Sequence, residues 1–259
     1  MAYSTSSQKP RTFIGKMIRK YEERVATEQF YPTFPLGWIV NPFYISRRSL
    51  YLYIKKLAPM CNGVFLDFGC GTMPYRRLFS YERYIGIEYG DPSLSTDEII
   101  YVQDSSVPFP DDYFDTIICT QVLEHVPHPE AILAEFYRVL KTRGKLLLSV
   151  PMTWAEHAHP HDFRRFTPEG LNQLLYRYGF NVKFLIRTTG TVLTIAQLIM
   201  DFIRQKLYGK GYNLWILSWR LMIGLTLYTP LLTMAYFLSA IIRDQEKLLP
   251  LDIIVLAEK

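Results

Sequence analysis

The feature that most constrains this chain is the stretch from residue 64 to residue 74, an apolar run that passes directly into two closely spaced glycines. Residues 64–66, Val-Phe-Leu, have the β-branched, aromatic and apolar character of a strand buried on both faces. Gly69 and Gly71 lack a Cβ, so the backbone there can turn sharply and approach a ligand closely. The stretch therefore predicts a buried strand that ends in a tight turn.

A carboxylate follows this turn at an informative distance. Glu88 ends the next apolar run, residues 84–88, and lies 19 positions after Gly69. Nucleotide-binding βαβ units place a carboxylate for the ribose hydroxyls about 20 residues after their glycine turn. We therefore expect the glycines and Glu88 to lie together at a nucleotide-binding edge of a sheet. A dinucleotide oxidoreductase fits less well, because Met73 stands where the third glycine of that fingerprint is expected.

The segment after the glycine turn alternates apolar runs with helical patterns, which predicts a parallel sheet with helices on both faces. One helix begins with Pro129 at its first turn, and another begins at Pro168 after the N-cap Thr167. The predicted strands are residues 64–68, 84–88, 99–102, 115–120, 145–150, 181–186 and 252–257.

Helical segments flank this core on both sides in the sequence. Helices are predicted at 13–30 and 44–57, either as packing against the sheet edge or as a lid over a ligand. We divide the chain into an N-terminal helical prelude or lid (1–58), a core (59–189), a hydrophobic helical insert (190–248) and the final strand of the core (249–259).

The insert is unusually apolar. Residues 221–242 are 22 positions without a charge, a length that passes the threshold of about 18–20 residues for a membrane-spanning helix. Pro230, near the middle, predicts that the stretch is split into a helical hairpin. A hairpin in the membrane interface would also let the final strand rejoin the sheet. The alternative is a buried helical pair that covers the pocket or forms a homodimer interface; we expect membrane contact.

Composition narrows the remaining choices. The net charge of +5 and the isoelectric point near 9.0 come without a dense basic run, so no nucleic-acid partner is expected. Three cysteines without CxxC spacing fit a reducing compartment better than a disulfide framework. Residues 1–10 are polar and contain no apolar signal core. These features favour a cytoplasmic location, at the cytoplasmic face of a membrane if the insert makes contact there.

Five segments in order carry a resemblance to a known family. Leu66–Gly71 resembles the glycine motif of class I S-adenosylmethionine-dependent methyltransferases, in the small-molecule branch that includes quinone-biosynthesis enzymes. Residues 84–88, 102–110, 114–126 and 138–146 resemble its following motifs. The resemblance implies an α/β, Rossmann-like sheet of seven mostly parallel strands with the last one antiparallel. Here the helical insert precedes that last strand.

The resemblance also implies the residues that hold the cofactor. S-adenosyl-L-methionine would be the methyl donor and S-adenosyl-L-homocysteine the product. Glu88 would accept hydrogen bonds from both ribose hydroxyls, which requires a carboxylate. Gly69, Cys70 and Gly71 would pass beside the carboxypropyl chain and ribose. The other implied contacts are Asp67 to the cofactor's amino group, Asp104 with Ser105 to the adenine, and Gln121 at the methionine end.

A catalytic base is needed only if the acceptor is a hydroxyl or a similar protonated group. The candidates are His125, after the fourth strand, and His157 and His161, in the loop 151–167. The alternating histidines of that loop also permit a metal cluster, but no cysteine or second cluster supports one, and we expect no metal. Asp162, Arg164 or Arg165 is predicted to meet a polar or anionic part of the substrate.

Two functions remain open from the sequence. The first is methyl transfer to a small hydrophobic or lipid-linked acceptor, possible at a membrane surface through residues 190–248. The second is a non-catalytic subunit that keeps the cofactor pocket and serves as a membrane or partner anchor. The apolar insert fits both, because it presents a surface for either a lipid or another protein.

Overall fold

The computed structural model describes residues 32, 37–39, 41–104, 106–208, 214–242 and 246–259. The helix predicted at 13–30 and the polar tail 1–10 lie outside the described residues. The chain divides into two compact units. One unit combines the described residues up to Tyr51 with Gly190–Leu248, and the other combines Leu52–Thr189 with Leu249–Lys259. The predicted roles of the prelude and the insert stay predictions.

The second of these units is built on a seven-stranded sheet in the order β3-β2-β1-β4-β5-β7-β6. β7 is antiparallel to both β5 and β6, and the other neighbouring pairs are parallel. The predicted Rossmann-like fold is therefore confirmed. The strands are β1 (Val64–Phe68), β2 (Arg83–Tyr89), β3 (Ile99–Val102), β4 (Phe114–Thr120), β5 (Leu140–Pro151), β6 (Asn181–Arg187) and β7 (Asp252–Glu258).

Apolar side chains on the central strands form the core of this unit. The unit also contains helices α2 (Pro129–Val139) and α3 (Pro168–Arg177), and a helix α1 (Tyr44–Leu57) precedes β1. Phe136 of α2 and Leu171 of α3 are fully buried in one cluster with Leu66 of β1. Successive strand residues point to opposite faces, so Phe65 instead packs its ring against Phe79 and Tyr84.

The boundary between α2 and β5 differs from the sequence expectation of a strand at 145–150. The helix ends at Val139, and β5 already begins at Leu140, which pairs with Phe114 of β4. The next pairs join Thr116 to Lys145, so the intervening residues form an irregularity in the ladder. The longer strand arises because β4 and β7 supply hydrogen-bonding partners that periodicity cannot reveal.

The other unit contains helices α4 (Thr191–Leu207), α5 (Leu214–Ile223) and α6 (Thr229–Ile242), with a π-helical segment at Gly224–Tyr228 between the last two. α4 and α6 are in contact. The Tyr228 hydroxyl donates a hydrogen bond to the carbonyl of Met200 on α4 over 3.2 Å. Gly224 lies against Ile39, whose carbonyl oxygen would be 2.2 Å from an added Cβ. The close approach requires glycine there.

The predicted hairpin at Pro230 is wrong, because the helix continues from Trp215 to Ile242 over 28 residues. The π-helical segment ends two residues before Pro230, and its wider turn lets the helix accommodate a residue that has no N–H. The Thr229 hydroxyl also donates to the Gly224 carbonyl over 2.9 Å. This helix is long and apolar enough to cross a membrane. Its most apolar stretch of 18 residues has a mean hydropathy of 1.6, and only 17% of that stretch is buried.

Candidate active site

The glycine turn after β1 has the backbone that the sequence predicted. Gly69 and Gly71 have φ values of +68° and +49°, in the left-handed region that glycine adopts without strain. The amides of Gly69 and Cys70 both donate to the Ile87 carbonyl, at 2.8 and 3.1 Å. An added Cβ at Gly69 would lie 2.4 Å from Val122, whereas at Gly71 it would meet nothing within 4 Å. The turn is therefore closed on one side and open on the other.

Glu88 lies beside this turn, as the spacing predicted. Its Oε2 accepts a hydrogen bond from the Gly71 amide over 2.7 Å, and its Oε1 accepts one from the Tyr89 amide over 3.0 Å. A carboxylate has about four lone-pair positions, so each oxygen keeps one more acceptor position. Two donors on a ligand can therefore be bound at the same carboxylate.

Asp67 is buried at the end of β1. Its Oδ2 accepts a hydrogen bond from the Tyr84 hydroxyl over 2.7 Å. Burial raises the pKa of Asp67 to about 7, the Tyr84 hydrogen bond lowers it, and the charge of Glu88 raises it. Asp67 is thus held inside the fold next to the turn. Below about pH 7 its carboxyl binds a proton, which removes the cost of burying a charge.

This pKa predicts a dependence of stability on pH. Between about pH 4 and 7 the unfolded chain releases the proton of Asp67 while the folded chain keeps it, so the free energy of unfolding falls as pH rises. Asp67→Asn removes that term. Between pH 5 and pH 8 the free energy of unfolding of the wild type should fall by about 2 kcal/mol more than that of the variant. Urea unfolding without ligand measures both. Parallel pH curves for the two proteins would contradict the assignment.

Met73, at the position of the missing third glycine, has a φ of +51° and is largely buried. It turns inward: an added Cβ at Gly86 would lie 2.5 Å from Met73 Cε and 2.6 Å from Cys70 Sγ. Both side chains therefore fill the space above Gly86 on β2. Burial raises the pKa of the Cys70 thiol to about 12, which keeps it protonated and unreactive.

The predicted adenine segment follows β3. Asp104 is exposed, and its Oδ1 accepts hydrogen bonds from the amide and the hydroxyl of Ser106, which lower its pKa. The carboxylate is therefore ionised near neutral pH and caps its own turn. Ser105, the other predicted adenine contact, lies outside the described residues.

Gln121 lies where β4 ends. Its φ of +57° is in the left-handed region, which is uncommon for a residue with a side chain. Its amide donates to the Ser149 carbonyl over 2.9 Å, and its Nε2 donates to the Ser149 hydroxyl over 3.3 Å. β5 thus fixes both the backbone and the side chain. Backbone strain of this kind concentrates at functional sites.

Two of the three candidate histidines meet ring to ring. His125 and His157 are arranged edge to face with ring centroids 4.8 Å apart. His161 contributes its carbonyl instead, which lies 2.6 Å from Nδ1 of His125. A carbonyl can only accept, so Nδ1 of His125 carries the hydrogen and Nε2 has the free lone pair. Burial lowers the pKa of His157.

The charged residues of the same loop bind other groups of the protein. Arg165 forms a bidentate pair with Asp162, at 2.6 and 2.7 Å, and also donates to the Ala155 carbonyl. Arg164 donates to the Pro127 carbonyl over 2.7 Å. The Arg165 pair holds the pKa of Asp162 well below its usual range. Their substrate role stays a prediction, and what the structure adds is that they hold the loop in place.

Sequence reasoning missed Glu124, which lies between Leu123 and His125 in a short 3-10 turn after β4. Its side chain is fully buried, and neither carboxylate oxygen has a hydrogen-bond partner among the described residues. Burial raises its pKa to about 8. The available signal was a single acidic residue within an otherwise apolar Val-Leu-Glu-His-Val segment.

Comparison with known proteins gives one family. Residues 45–183, more than half of the chain, match the family model described as a methyltransferase domain. The ubiquinone biosynthesis O-methyltransferase of Pseudomonas savastanoi pv. phaseolicola is 26% identical over 146 residues, or 50% of this chain and 59% of that protein. A probable S-adenosylmethionine-dependent methyltransferase of Mycolicibacterium smegmatis is 28% identical over 156 residues, or 54% and 60%.

A solved structure supports the fold. A SAM-dependent methyltransferase from Archaeoglobus fulgidus matches with a TM-score of 0.50 and 18% identity, covering 82% of this chain and 94% of that one. At this identity the likeness concerns the fold alone. The chain spans 47% to 60% of the length of four of the curated relatives it matches.

Proposed function

Because this chain belongs to the methyltransferase domain family, we propose that it is a class I enzyme that transfers a methyl group from S-adenosylmethionine to a hydrophobic acceptor. The observation that carries the proposal is the pairing of the glycine turn with Glu88. The Gly71 amide orients this carboxylate and leaves an acceptor position on each oxygen. These two positions fit the two ribose hydroxyls of the cofactor.

The protein's contribution is binding and orientation. S-adenosylmethionine carries a methyl group already activated on its sulfonium, so the chain has to position it and exclude water. The open space at Gly71 gives the cofactor a route along the backbone. Asp104, Ser105 and Gln121 are proposed to hold the adenine and methionine ends, and Asp67 to fix the turn.

A hydroxyl acceptor requires a proton acceptor, and we assign this role to His125. Its Nδ1 is anchored on the His161 carbonyl, which leaves the Nε2 lone pair for the proton. His157 packs against the same ring and limits its movement. The name of the Pseudomonas relative, an O-methyltransferase, is consistent with an acceptor hydroxyl.

The experiment is a binding and transfer assay with the full chain. Isothermal titration calorimetry should detect one equivalent each of S-adenosylmethionine and S-adenosylhomocysteine. Transfer of a radiolabelled methyl group is then measured to catechol-type acceptors with and without a prenyl tail, and we expect the prenylated ones to be preferred. If the folded protein binds neither cofactor form, the proposal is wrong. If it binds both but methylates no acceptor, the non-catalytic alternative is favoured.

We also propose that the enzyme acts at the cytoplasmic face of a membrane and contacts it through α5 and α6. Trp215 is 87% exposed and Phe237 is 65% exposed, on a helix whose only charge among the described residues is Arg220. Exposed apolar surface of this extent is characteristic of an interaction site, and tryptophan is favoured at the membrane interface. A lipid surface fits an acceptor with a long apolar tail.

The membrane proposal predicts that the protein floats with vesicles of phosphatidylcholine and phosphatidylglycerol in a density gradient. Replacing Phe237 and Ile241, which is 60% exposed, together by serine should lower the lipid partition coefficient about 100-fold or more, because burying each side chain contributes roughly 1.5–3 kcal/mol. Tyr176→Ser is the matched control, since Tyr176 is an aromatic residue, 79% exposed, on α3. A folded wild type that does not float, or a double variant that floats equally well, would contradict the proposal.

A further inference from the structure

The buried carboxylate of Glu124 has no hydrogen-bond donor or directly paired cation among the described residues. Its side chain is fully buried, and both oxygens lack a hydrogen-bond partner among the described residues. Burying a carboxylate without a partner costs several kcal/mol, so such groups are paired, protonated or bound to a metal. The charge of Arg165 acts on Glu124 from its pair with Asp162, and Nε2 of His125 lies 3.7 Å from Glu124 Oε1. That separation exceeds a hydrogen bond.

His125 presents a lone pair, not a proton, to this carboxylate. Its Nδ1 lies 2.6 Å from the His161 carbonyl, and a carbonyl only accepts. The hydrogen of the neutral ring is therefore on Nδ1, and Nε2 faces Glu124 as an acceptor. When Glu124 is ionised, as a metal ligand has to be, two acceptor atoms therefore face each other across 3.7 Å with no donor between them.

His157 adds a third acceptor by the same reasoning. Its Nδ1 lies 3.3 Å from a carboxylate oxygen of Asp162 and 3.3 Å from the Ala155 carbonyl, and both of these atoms only accept. Arg165 holds Asp162 in its ionised form through the bidentate pair. Nδ1 of His157 therefore carries the hydrogen, which leaves Nε2 as the free acceptor.

We propose that Glu124, His125 and His157 form a binding site for a divalent transition-metal cation of the Zn²⁺ type. One ligand atom from each residue lies within 4.8 Å of the other two. Ligand atoms on a tetrahedral zinc ion are roughly 3.3 Å apart, since each bond is about 2.0 Å, so a small closure completes the site. The cation supplies the positive charge that the carboxylate and both lone pairs lack.

Hydrogen bonds to neighbouring groups hold both histidine rings in the orientation that a metal site needs. Histidine ligands commonly donate their other ring N–H to a carboxylate or a backbone carbonyl, and here the Ala155 and His161 carbonyls receive those hydrogens. Asp162 accepts a hydrogen bond from the His157 amide and lies 3.3 Å from its Nδ1. Two imidazoles and one carboxylate favour Zn²⁺ or Co²⁺ over Mg²⁺, which prefers oxygen ligands. Three protein ligands also leave a coordination position for a water or an acceptor oxygen. Because the cation takes the Nε2 lone pair of His125, in the metal-bound protein it would replace that histidine as the group that promotes loss of the acceptor's proton.

This site differs from the histidine cluster considered from the sequence. That cluster joined His157, His159 and His161, and no metal was expected there. In the structure the His159 side chain is 83% exposed, and His161 uses its carbonyl. The proposed site replaces both with Glu124 and His125, which lie more than 30 positions earlier in the sequence.

The test is metal binding by the full chain after treatment with a chelator, and it needs no turnover. Calorimetry should show one equivalent of Zn²⁺ bound at least 100-fold more tightly than Mg²⁺, and Co²⁺ should give the visible spectrum of a low-coordinate complex. Glu124→Gln and His157→Gln should each weaken Zn²⁺ binding at least 100-fold. Asp162→Asn should weaken it by 10- to 100-fold, because it orients His157.

His159→Gln is the matched control, since it removes an imidazole from the same loop outside the site. Each variant is checked by thermal melting and by S-adenosylmethionine binding, so a folding defect or a failure of the cofactor proposal is recognised separately. The proposal is overturned if the folded wild type binds no Zn²⁺. It is also overturned if the Glu124 and His157 variants keep wild-type affinity, or if His159→Gln loses affinity to the same extent.

Discussion

Glu88→Ala is expected to weaken binding of S-adenosylmethionine about 100-fold, which corresponds to roughly 3 kcal/mol. The variant loses the two acceptor positions proposed for the ribose hydroxyls, and hydrogen bonds to a charged group contribute about 1.5–3 kcal/mol each. It also leaves the Gly71 amide without the acceptor that lies 2.7 Å away. Calorimetry with S-adenosylmethionine and S-adenosylhomocysteine measures the effect, and both ligands should be affected equally because they share the ribose.

Two variants separate this role from a general effect of charge. Glu130→Ala removes a carboxylate from an exposed position at the start of α2 and should leave affinity unchanged. Glu88→Gln keeps the shape but replaces one acceptor oxygen by a donor, so we expect a loss smaller than that of alanine. If Glu88→Ala binds both ligands with wild-type affinity, Glu88 does not hold the ribose and the proposed cofactor geometry fails.

Alanine substitutions at the two glycines of the turn are expected to have opposite consequences. At Gly69 the new Cβ would lie 2.4 Å from Val122 on a backbone with φ of +68°, so both a clash and backbone strain oppose folding. We expect Gly69→Ala to lower the free energy of unfolding by about 3 kcal/mol. At Gly71 no atom lies within 4 Å, and only the strain, about 1 kcal/mol, remains.

Gly71→Ala, the variant with the smaller loss of stability, should lose affinity for the cofactor. A Cβ there enters the open space proposed as the cofactor's route, so Gly71→Ala should reduce affinity for S-adenosylmethionine at least tenfold while the protein stays folded. Urea unfolding and calorimetry on both variants provide the two readouts. Equal losses of stability for the two variants would show that the space around Gly69 and Gly71 is not as different as the structure has it.

Short segments of the sequence were sufficient to predict the part of the fold that is proposed to bind the cofactor. Buried strands, glycines at positive φ and a carboxylate at a fixed spacing are properties of short segments, and the structure has them at Gly69, Gly71 and Glu88. The seven-stranded sheet with an antiparallel last strand also followed from the family resemblance, whereas the order of the strands came from the structure. In such cases neighbouring residues determine the conformation, and the sequence displays it directly.

Other features depended on segments that are distant in the chain. The burial of Glu124 results in part from the loop that follows β5. The amide of Phe163, in that loop, donates a hydrogen bond to the backbone carbonyl of Glu124. The binding of Arg165 to Asp162, rather than to a ligand, is decided by the folded loop. The continuous helix of α5, the π-helical segment and α6 passes Pro230 because the wider π-helical turn before it makes room for a residue without an amide hydrogen.

The sequence by itself thus determined the strand-and-turn architecture and the residues proposed to hold the cofactor. Only the tertiary structure decided which histidines meet, which ring nitrogens have a free lone pair and which carboxylate lies close to both. The physical reason is that hydrophobic periodicity and backbone preference act over a few residues. The pairing of a buried polar group, by contrast, is set by whatever distant segment the fold brings within about 3 Å of it.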